Sequence, residues 1–417
     1  MKKTVAELFA GVGGFRVGLN NIRKINIKTG KAIEEGNWDF VWANQWEPST
    51  KNQDAYNCYI TRFEAEDVSN KDIGTVDKNS IPNHNLLVGG FPCQDYSVAR
   101  SISNEKGIEG KKGVLFWEIV ETLEKKETPF FLLENVDRLL KSPASQRGRD
   151  FGIMIRTLTD LGYDLEWRVI NAAEYGRGQK RRRVFIFGWK KVLNYSQKIN
   201  ESTPKELISN DGFFAKSFPI TDIGDDEEIL QSSTLDYKDT VVMTQKYAFK
   251  FENSGIVIDG LIHTIKTKPI IVDAIPLKEN LEKSKAIKDY IISEKKLEKF
   301  EYLRKSKKVK RKKPNGDIYY YTEGSMSVYD SIELPARTML TSERGTNRST
   351  HIIKDPILNK VRYITPIEAE RLQDFPDSWT DTGMSIPRRY FTMGNALVTG
   401  IVTQMEPVLS EIFDNEK

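Results

Sequence analysis

Cysteine and histidine are scarce: the chain holds only Cys58 and Cys93, and His84, His263 and His351 stand far apart. That excludes a disulfide framework and leaves no Cys/His spacing for structural zinc, so no metal is expected and a reducing compartment suits the chain. No apolar run approaches the roughly 20 residues of a membrane helix, and Glu7 and Arg16 interrupt the start before the core of a signal peptide forms. A mature protein with no membrane partner is expected. Internal repeats are lacking too, and no Gly-Lys-Ser/Thr follows the glycines near the N-terminus, which disfavours a phosphate-loop nucleotidase. The net charge of +4 neither demands nor opposes a polyanionic partner. What is present is ordinary: 39% hydrophobic and 10% aromatic residues among 417 place the chain in the globular class, with length for two or three domains.

Up to residue 190 short apolar runs alternate with longer amphipathic ones. The runs at 5–9, 40–43, 86–88, 130–133 and 184–187 predict buried strands, and 113–126 and 151–161 predict helices. Such alternation predicts an α/β, doubly wound domain over 1–190. Beyond Trp189 the rhythm is lost, with irregular strand candidates at 255–258 and 270–272, which predicts a second, smaller and irregular domain over 191–360. Within it, 304–313 reads RKSKKVKRKK, and a turn at Pro314-Asn315-Gly316-Asp317 leads into a strand at 318–321. From Thr365 the sequence is helix-like again, ending in an apolar helical stretch around 396–409, and 361–417 is expected to return and complete the first domain.

Four short elements carry candidate chemistry. Glu7-Leu8-Phe9-Ala10-Gly11-Val12-Gly13-Gly14-Phe15 runs from a strand through a glycine-rich turn into a helix. Nucleotides bind at such turns on the carboxyl edge of parallel sheets, although a turn without a ligand reads the same way. Leu86-Leu87-Val88-Gly89-Gly90-Phe91-Pro92-Cys93-Gln94 empties a strand into a loop that presents Cys93. A thiol is a strong nucleophile only as thiolate, and an inert loop cysteine fits the same residues. Cys58, in an amphipathic stretch, reads as a small packed residue. Glu134 ends the run at 130–133, where partial desolvation favours a protonated carboxyl able to serve a ring nitrogen; a helix N-cap or an ion pair is the alternative. Finally, Gln179-Lys180-Arg181-Arg182-Arg183 sends Arg181 and Arg183 to one side of a strand, where they converge on a phosphate or carboxylate or form a solvated basic edge.

The order of these elements, followed by Arg371-Leu372-Gln373, Phe375-Pro376 and Gly394-Asn395-Ala396, resembles the DNA cytosine-5 methyltransferases over 4–189 and 362–403. The resemblance implies a Rossmann-like lobe that binds S-adenosylmethionine and leaves S-adenosylhomocysteine as product. It implies that Cys93 adds to C6 of a cytosine flipped out of a duplex, that Glu134 engages N3, and that Arg183 with Arg181 serves the base near O2 while C5 is methylated. Its cofactor contacts fall on Phe9, Gly11, Val12, Gly14, Gln45, Trp46, Asp67, Val68, Pro92, Leu115, Asn395 and Ala396. Gln45 stands where the family commonly has an acid for the ribose hydroxyls, so that task falls to Gln45 or Glu47; Glu7 stands where the family usually has Asp. The segment 95–112 matches the family's mobile active-site loop, and Gln94, Ser97 and Arg100 are expected on DNA, with Arg100 entering the vacated base stack.

The unmatched middle corresponds to the family's target-recognition domain. There the strip at 304–313 suits DNA phosphates or is a solvated loop. The segment 341–350, with Arg344, Thr346 and Arg348, suits groove contact or is a plain surface turn. The partners implied are double-stranded DNA and a cognate restriction endonuclease acting on the same site without being bound; the protein is expected to be a cytoplasmic, nucleoid-associated bacterial monomer. Three rivals remain. The tRNA-modifying branch shares this core but usually has a small recognition region. A catalytically dead DNA-binding module conflicts with intact Cys93, Glu134 and Arg183. A nicotinamide dehydrogenase leaves Pro92-Cys93-Gln94 unexplained.

Overall fold

The computed structural model describes residues 1–48, 50–63, 67–91, 115–224, 227–283, 285–312 and 316–416. Cys93, together with Pro92, Gln94, Ser97 and Arg100, lies outside them, as does the expected active-site loop. Strands β1 (Thr4–Leu8), β2 (Asp39–Asn44), β3 (Val68–Ser69), β4 (Leu86–Gly90), β5 (Phe130–Val136), β6 (Tyr163–Asn171), β7 (Arg182–Lys190), β8 (Leu230–Ser233), β9 (Ser254–Ile258) and β10 (Leu261–Ile265) build one sheet. Their order is β3-β2-β1-β4-β5-β7-β6-β9-β10-β8. Neighbours from β3 to β5 are parallel, and those from β5 to β8 are antiparallel.

Seven helices frame the site: α1 (Gly14–Leu19), α2 (Asp54–Arg62), α3 (Leu115–Lys126), α4 (Arg149–Asp160), α5 (Pro366–Leu372), α6 (Ile386–Asn395) and α7 (Thr399–Asn415). Side chains alternate along each central strand, so every strand feeds two cores. Val5, Leu86, Val88, Phe130 and Leu132 pack with Phe15 and Leu19 of α1 and Val402, Met405 and Leu409 of α7. Ala6, Leu8, Leu87, Phe131 and Leu133 pack with Phe116, Ile119 and Leu123 of α3 and Phe151, Met154 and Leu158 of α4. Covering both faces is what makes these strands apolar throughout. From the C-terminal segment, α7 lies on the same face of the sheet as α1.

The sheet does not stop at residue 190, where the sequence placed a domain boundary. Residues 230–265 add β8–β10 to the free side of β6. The sequence reading lacks β6 itself because Asp164, Glu166 and Arg168 make it look polar, yet all three are buried. Each finds main-chain partners in the following segment. Asp164 accepts from the Asp259 amide at 2.9 Å and Glu166 from the Phe213 amide at 2.6 Å, while Arg168 donates to the Phe214, Phe218 and Ile208 carbonyls. The candidate strand at 270–272 is corrected as well. It makes a single bridge, Val272 to Tyr175, and its three residues are at least half exposed.

The smaller remainder shares a core with the return segment. Leu277, Leu281, Ala336, Met339 and Ile353 pack with Ile364, Ala369, Leu372, Tyr390 and Met393. It carries two hairpins, β11 (Lys307–Lys312) with β12 (Ile318–Glu323), and β13 (Ile352–Lys354) with β14 (Val361–Tyr363). Among the described residues no helix is long and apolar enough to cross a membrane.

Candidate active site

Strand β1 lies between β2 and β4, where the direction of strand addition reverses, and ligands of open α/β sheets bind outside the carboxyl ends at such a point. Two chain segments emerge there, 9–14 and 90–91. The first is sharply bent: Phe9, Gly11 and Gly13 all have positive φ, and a Cβ on Gly13 would sit 2.5 Å from the Phe63 ring. Only glycine fits at that position. A Cβ on Gly11 would find nothing nearer than the Phe9 carbonyl at 4.0 Å, so the space over the turn is open.

The turn is held from three sides. Gln45 Oε1 accepts from the Gly11 amide at 2.7 Å, the Ala10 amide donates to Asn44 O at 2.9 Å, and Trp379 Nε1 donates to Val12 O at 2.9 Å. Leu397, next to Ala396, packs against Gly14, with Cγ 3.0 Å from where a Cβ would stand. Asn395 is exposed and Ala396 half-buried beside this turn, and Trp46 leaves β2 with 37% of its surface exposed. Asp67 is exposed, its carbonyl accepting from the Ala43 amide, and Val68 pairs with Ala43 in β3. Leu115 opens α3 and is half-buried.

Both Gln45 and Glu47 are engaged in the free protein. Gln45 is buried and its acceptor oxygen is committed to Gly11, whereas Glu47 pairs with Arg388 at 2.5 Å. Arg388 also binds Asp54 at 2.8 Å. Gln53 clasps the Glu47 main chain from both sides, and Asn70 donates to Gln45 O at 2.6 Å. Arg388, Gln53 and Asn70 were not found by sequence reasoning. Arg388 had no local signal, because its partners lie at the other end of the chain. Beneath the turn Glu7 is fully buried, and burial pushes its carboxyl up to about 8, against the lowering effect of the Tyr59 hydroxyl, which donates to it at 3.1 Å, and of Arg16.

The second emerging segment meets the carboxylate candidate. Gly90 is paired with Glu134 across β4 and β5, and a Cβ on Gly90 would stand 3.0 Å from Glu134 Oε2. Arg183 reaches the same carboxyl, Nε to Oε1 at 2.7 Å, with both side chains mostly buried. Asn135 donates to Phe91 O at 3.0 Å, fixing the main chain two residues before Cys93 in sequence. Glu134 is therefore ion-paired rather than an N-cap, and its partner is Arg183 from β7. Arg181 does not join them. It is buried, donates to Met339 O at 3.2 Å and Gly394 O at 3.0 Å, and is pulled down to about 9 by burial and by Arg183. Register explains the split: β7 begins at Arg182, so Arg181 precedes the strand and turns toward the return segment. Cys58 is fully buried, its thiol pushed up to about 12 by burial, which leaves it an inert packing residue.

In the candidate DNA-reading segment, Thr346 is exposed and Arg344 lies with its guanidinium 5.2 Å from the Tyr290 ring. Arg348 is engaged by Glu323 at 2.9 Å. The segment is a folded turn, braced by a buried Glu343–His351 contact of 2.9 Å.

Comparison with known proteins places this geometry. The profile of the C-5 cytosine-specific DNA methylases matches residues 3–410. The chain is 50% identical over 413 residues to Type II methyltransferase M.Sau3AI of Staphylococcus aureus, covering 99% of this chain and 96% of that one. It is 28% identical over 240 residues to Type II methyltransferase M.HhaI of Haemophilus parahaemolyticus, covering 58% and 62%. Among solved structures, that of the S. pombe Dnmt2 methyltransferase superposes with a TM-score of 0.57 at 15% identity, covering 99% of each chain, a likeness of fold.

Proposed function

The chain belongs to the C-5 cytosine-specific DNA methylase family, and on that premise we propose which of its residues carry out the methylation of a DNA cytosine at C5. Cys93 is the nucleophile. Its sulfur bonds to C6 of a cytosine taken out of the duplex, which makes C5 electron-rich. Glu134 holds a proton or hydrogen bond against N3, where negative charge builds as the sulfur attacks, and Arg183 both orients Glu134 and serves the base near O2. When bound, S-adenosylmethionine, the methyl donor of this family, supplies the methyl group that C5 receives. The C5 proton then passes to water, its bonding pair re-forms the C5–C6 double bond, and the C6–S bond breaks to release the Cys93 thiolate. The observation that carries this reading is the meeting of Glu134 and Arg183 at 2.7 Å, with Glu134 paired to Gly90 at the end of β4, from which the chain runs on to Cys93.

The donor fits the open turn at 9–14, with Phe9, Gly11, Val12 and Gly14 lining it, Trp46 against the adenine, Asp67 and Val68 at its edge, and Pro92, Leu115, Asn395 and Ala396 completing the pocket. The ribose contact belongs to Glu47, freed from Arg388 when the donor binds, because Gln45 is already committed to the turn. The smaller part of the chain, together with Gln94, Ser97 and Arg100, reads duplex DNA through Thr346 and Arg344. The protein works as a cytoplasmic monomer and protects sites that a separate restriction endonuclease cuts. Incubation with labelled S-adenosylmethionine, duplex DNA and tRNA tests the reading: label enters cytosine of the duplex, and label only in tRNA, or in neither, refutes it.

A further inference from the structure

Strands β11 and β12 pair with Lys308 opposite Thr322, Lys310 opposite Tyr320 and Lys312 opposite Ile318. Opposed residues share a face and alternate residues change face, so the ribbon has two chemically different sides. On one side Arg311 stacks on Tyr321, 4.2 Å from its centroid, and Glu323 is paired with Arg348. On the other stand three lysines in a row beside Tyr320 and Ile318, 64% and 56% exposed. Among the described residues no ion pair neutralises these lysines. They repeat about every 6.7 Å along the strand, a spacing close to that of successive phosphates on a nucleic-acid backbone.

Nearly every residue of the ribbon is exposed, and a two-stranded ribbon without a core behind it is marginal in water. Three like charges on one face add to that cost, and a polyanion laid against them removes it. The root of the ribbon is fixed. Arg348, from the candidate DNA-reading segment, holds both Glu323 and the Gly324 carbonyl, and buried Arg304 ties the Ser327 and Val328 carbonyls to that of Thr350. The ribbon therefore moves with the segment at 341–350.

We propose that the face bearing Lys308, Lys310 and Lys312 lies along the phosphates of duplex DNA outside the recognised bases, lengthening the footprint and adding affinity without sequence information. The inference rests on the reading of the chain as a DNA methyltransferase, and methyl incorporation into DNA by the unaltered protein tests that reading separately. The test is the triple variant K308Q/K310Q/K312Q beside K308R/K310R/K312R. Binding to a labelled long duplex from a plasmid that the protein methylates is followed by fluorescence anisotropy over a range of salt, with S-adenosylhomocysteine present. The glutamine variant is expected to flatten the plot of log affinity against log salt by about 2–3 in slope, the arginine variant to restore it, and bisulfite sequencing to find the same sequences methylated. An unchanged slope in the glutamine variant, failure of arginine to restore it, or a changed set of methylated sequences overturns the proposal.

Discussion

Two residues that the sequence treats as separate motifs become one unit in space. Glu134 closes one strand and Arg183 opens another, and the antiparallel pairing of β5 with β7 brings them together. Arg183→Ala removes a donor from the charged centre while its shortened side chain leaves the strand intact. The account expects kcat/KM to fall on the order of 100-fold or more with an almost unchanged melting temperature, measured by methyl transfer and thermal unfolding. Glu7 makes a different prediction. Its carboxyl is raised from 4.5 to about 8, so the folded state holds the proton more tightly than the unfolded one. That contribution is complete below pH 4.5 and lost as pH rises toward 8. Glu7→Gln keeps an acceptor for Tyr59 and cannot ionise; urea unfolding at pH 5 and pH 8 should show the variant losing less stability across that interval. The sequence reaches Glu134, Arg183 and the glycine turn because each borders an apolar run that marks a buried strand. It does not reach the Arg388–Glu47 contact, since no local pattern announces a partner from the far end of the chain.

Among the elements, the joints between segments matter more than the strands. Arg181 fastens the start of β7 to the carbonyls of Met339 and Gly394, so one side chain links the main sheet to the smaller part and to the return segment. Arg181→Met would leave both carbonyls without a donor and cost on the order of 2 kcal/mol. Activity and melting temperature should fall together, unlike the effect of Arg183→Ala. Gly394, near the end of α6, sits under the backbone of 340–341, and a Cβ there would stand 2.4 Å from the Thr341 amide nitrogen. Helix propensity favours alanine by up to about 1 kcal/mol, but a clash with backbone costs about 1–3 kcal/mol. Gly394→Ala should therefore lower the melting temperature in a thermal scan. β1, β4 and β5 were legible because both faces of each are buried. β6 was not, because its Asp164, Glu166 and Arg168 find main-chain partners that the sequence does not locate.

For the whole molecule, the α/β order was readable from the alternation of apolar runs up to residue 190, and the antiparallel extension past it was not. Strands β8–β10 are short and separated by polar turns, and only their pairing onto β6 makes them part of the main sheet. The outcome is one large sheet whose carboxyl ends carry the turn at 9–14 and the Glu134–Arg183 pair, with the smaller part held to it through Arg181. On the proposed reading Cys93, three residues past β4 in sequence, bonds the base. The most direct measurement is denaturing electrophoresis of the protein after incubation with S-adenosylmethionine and duplex DNA containing 5-fluorocytosine, whose C5 substituent cannot leave. The account predicts a covalent protein–DNA band that Cys93→Ser abolishes; no band with the unaltered protein, or a band that survives in Cys93→Ser, would contradict it.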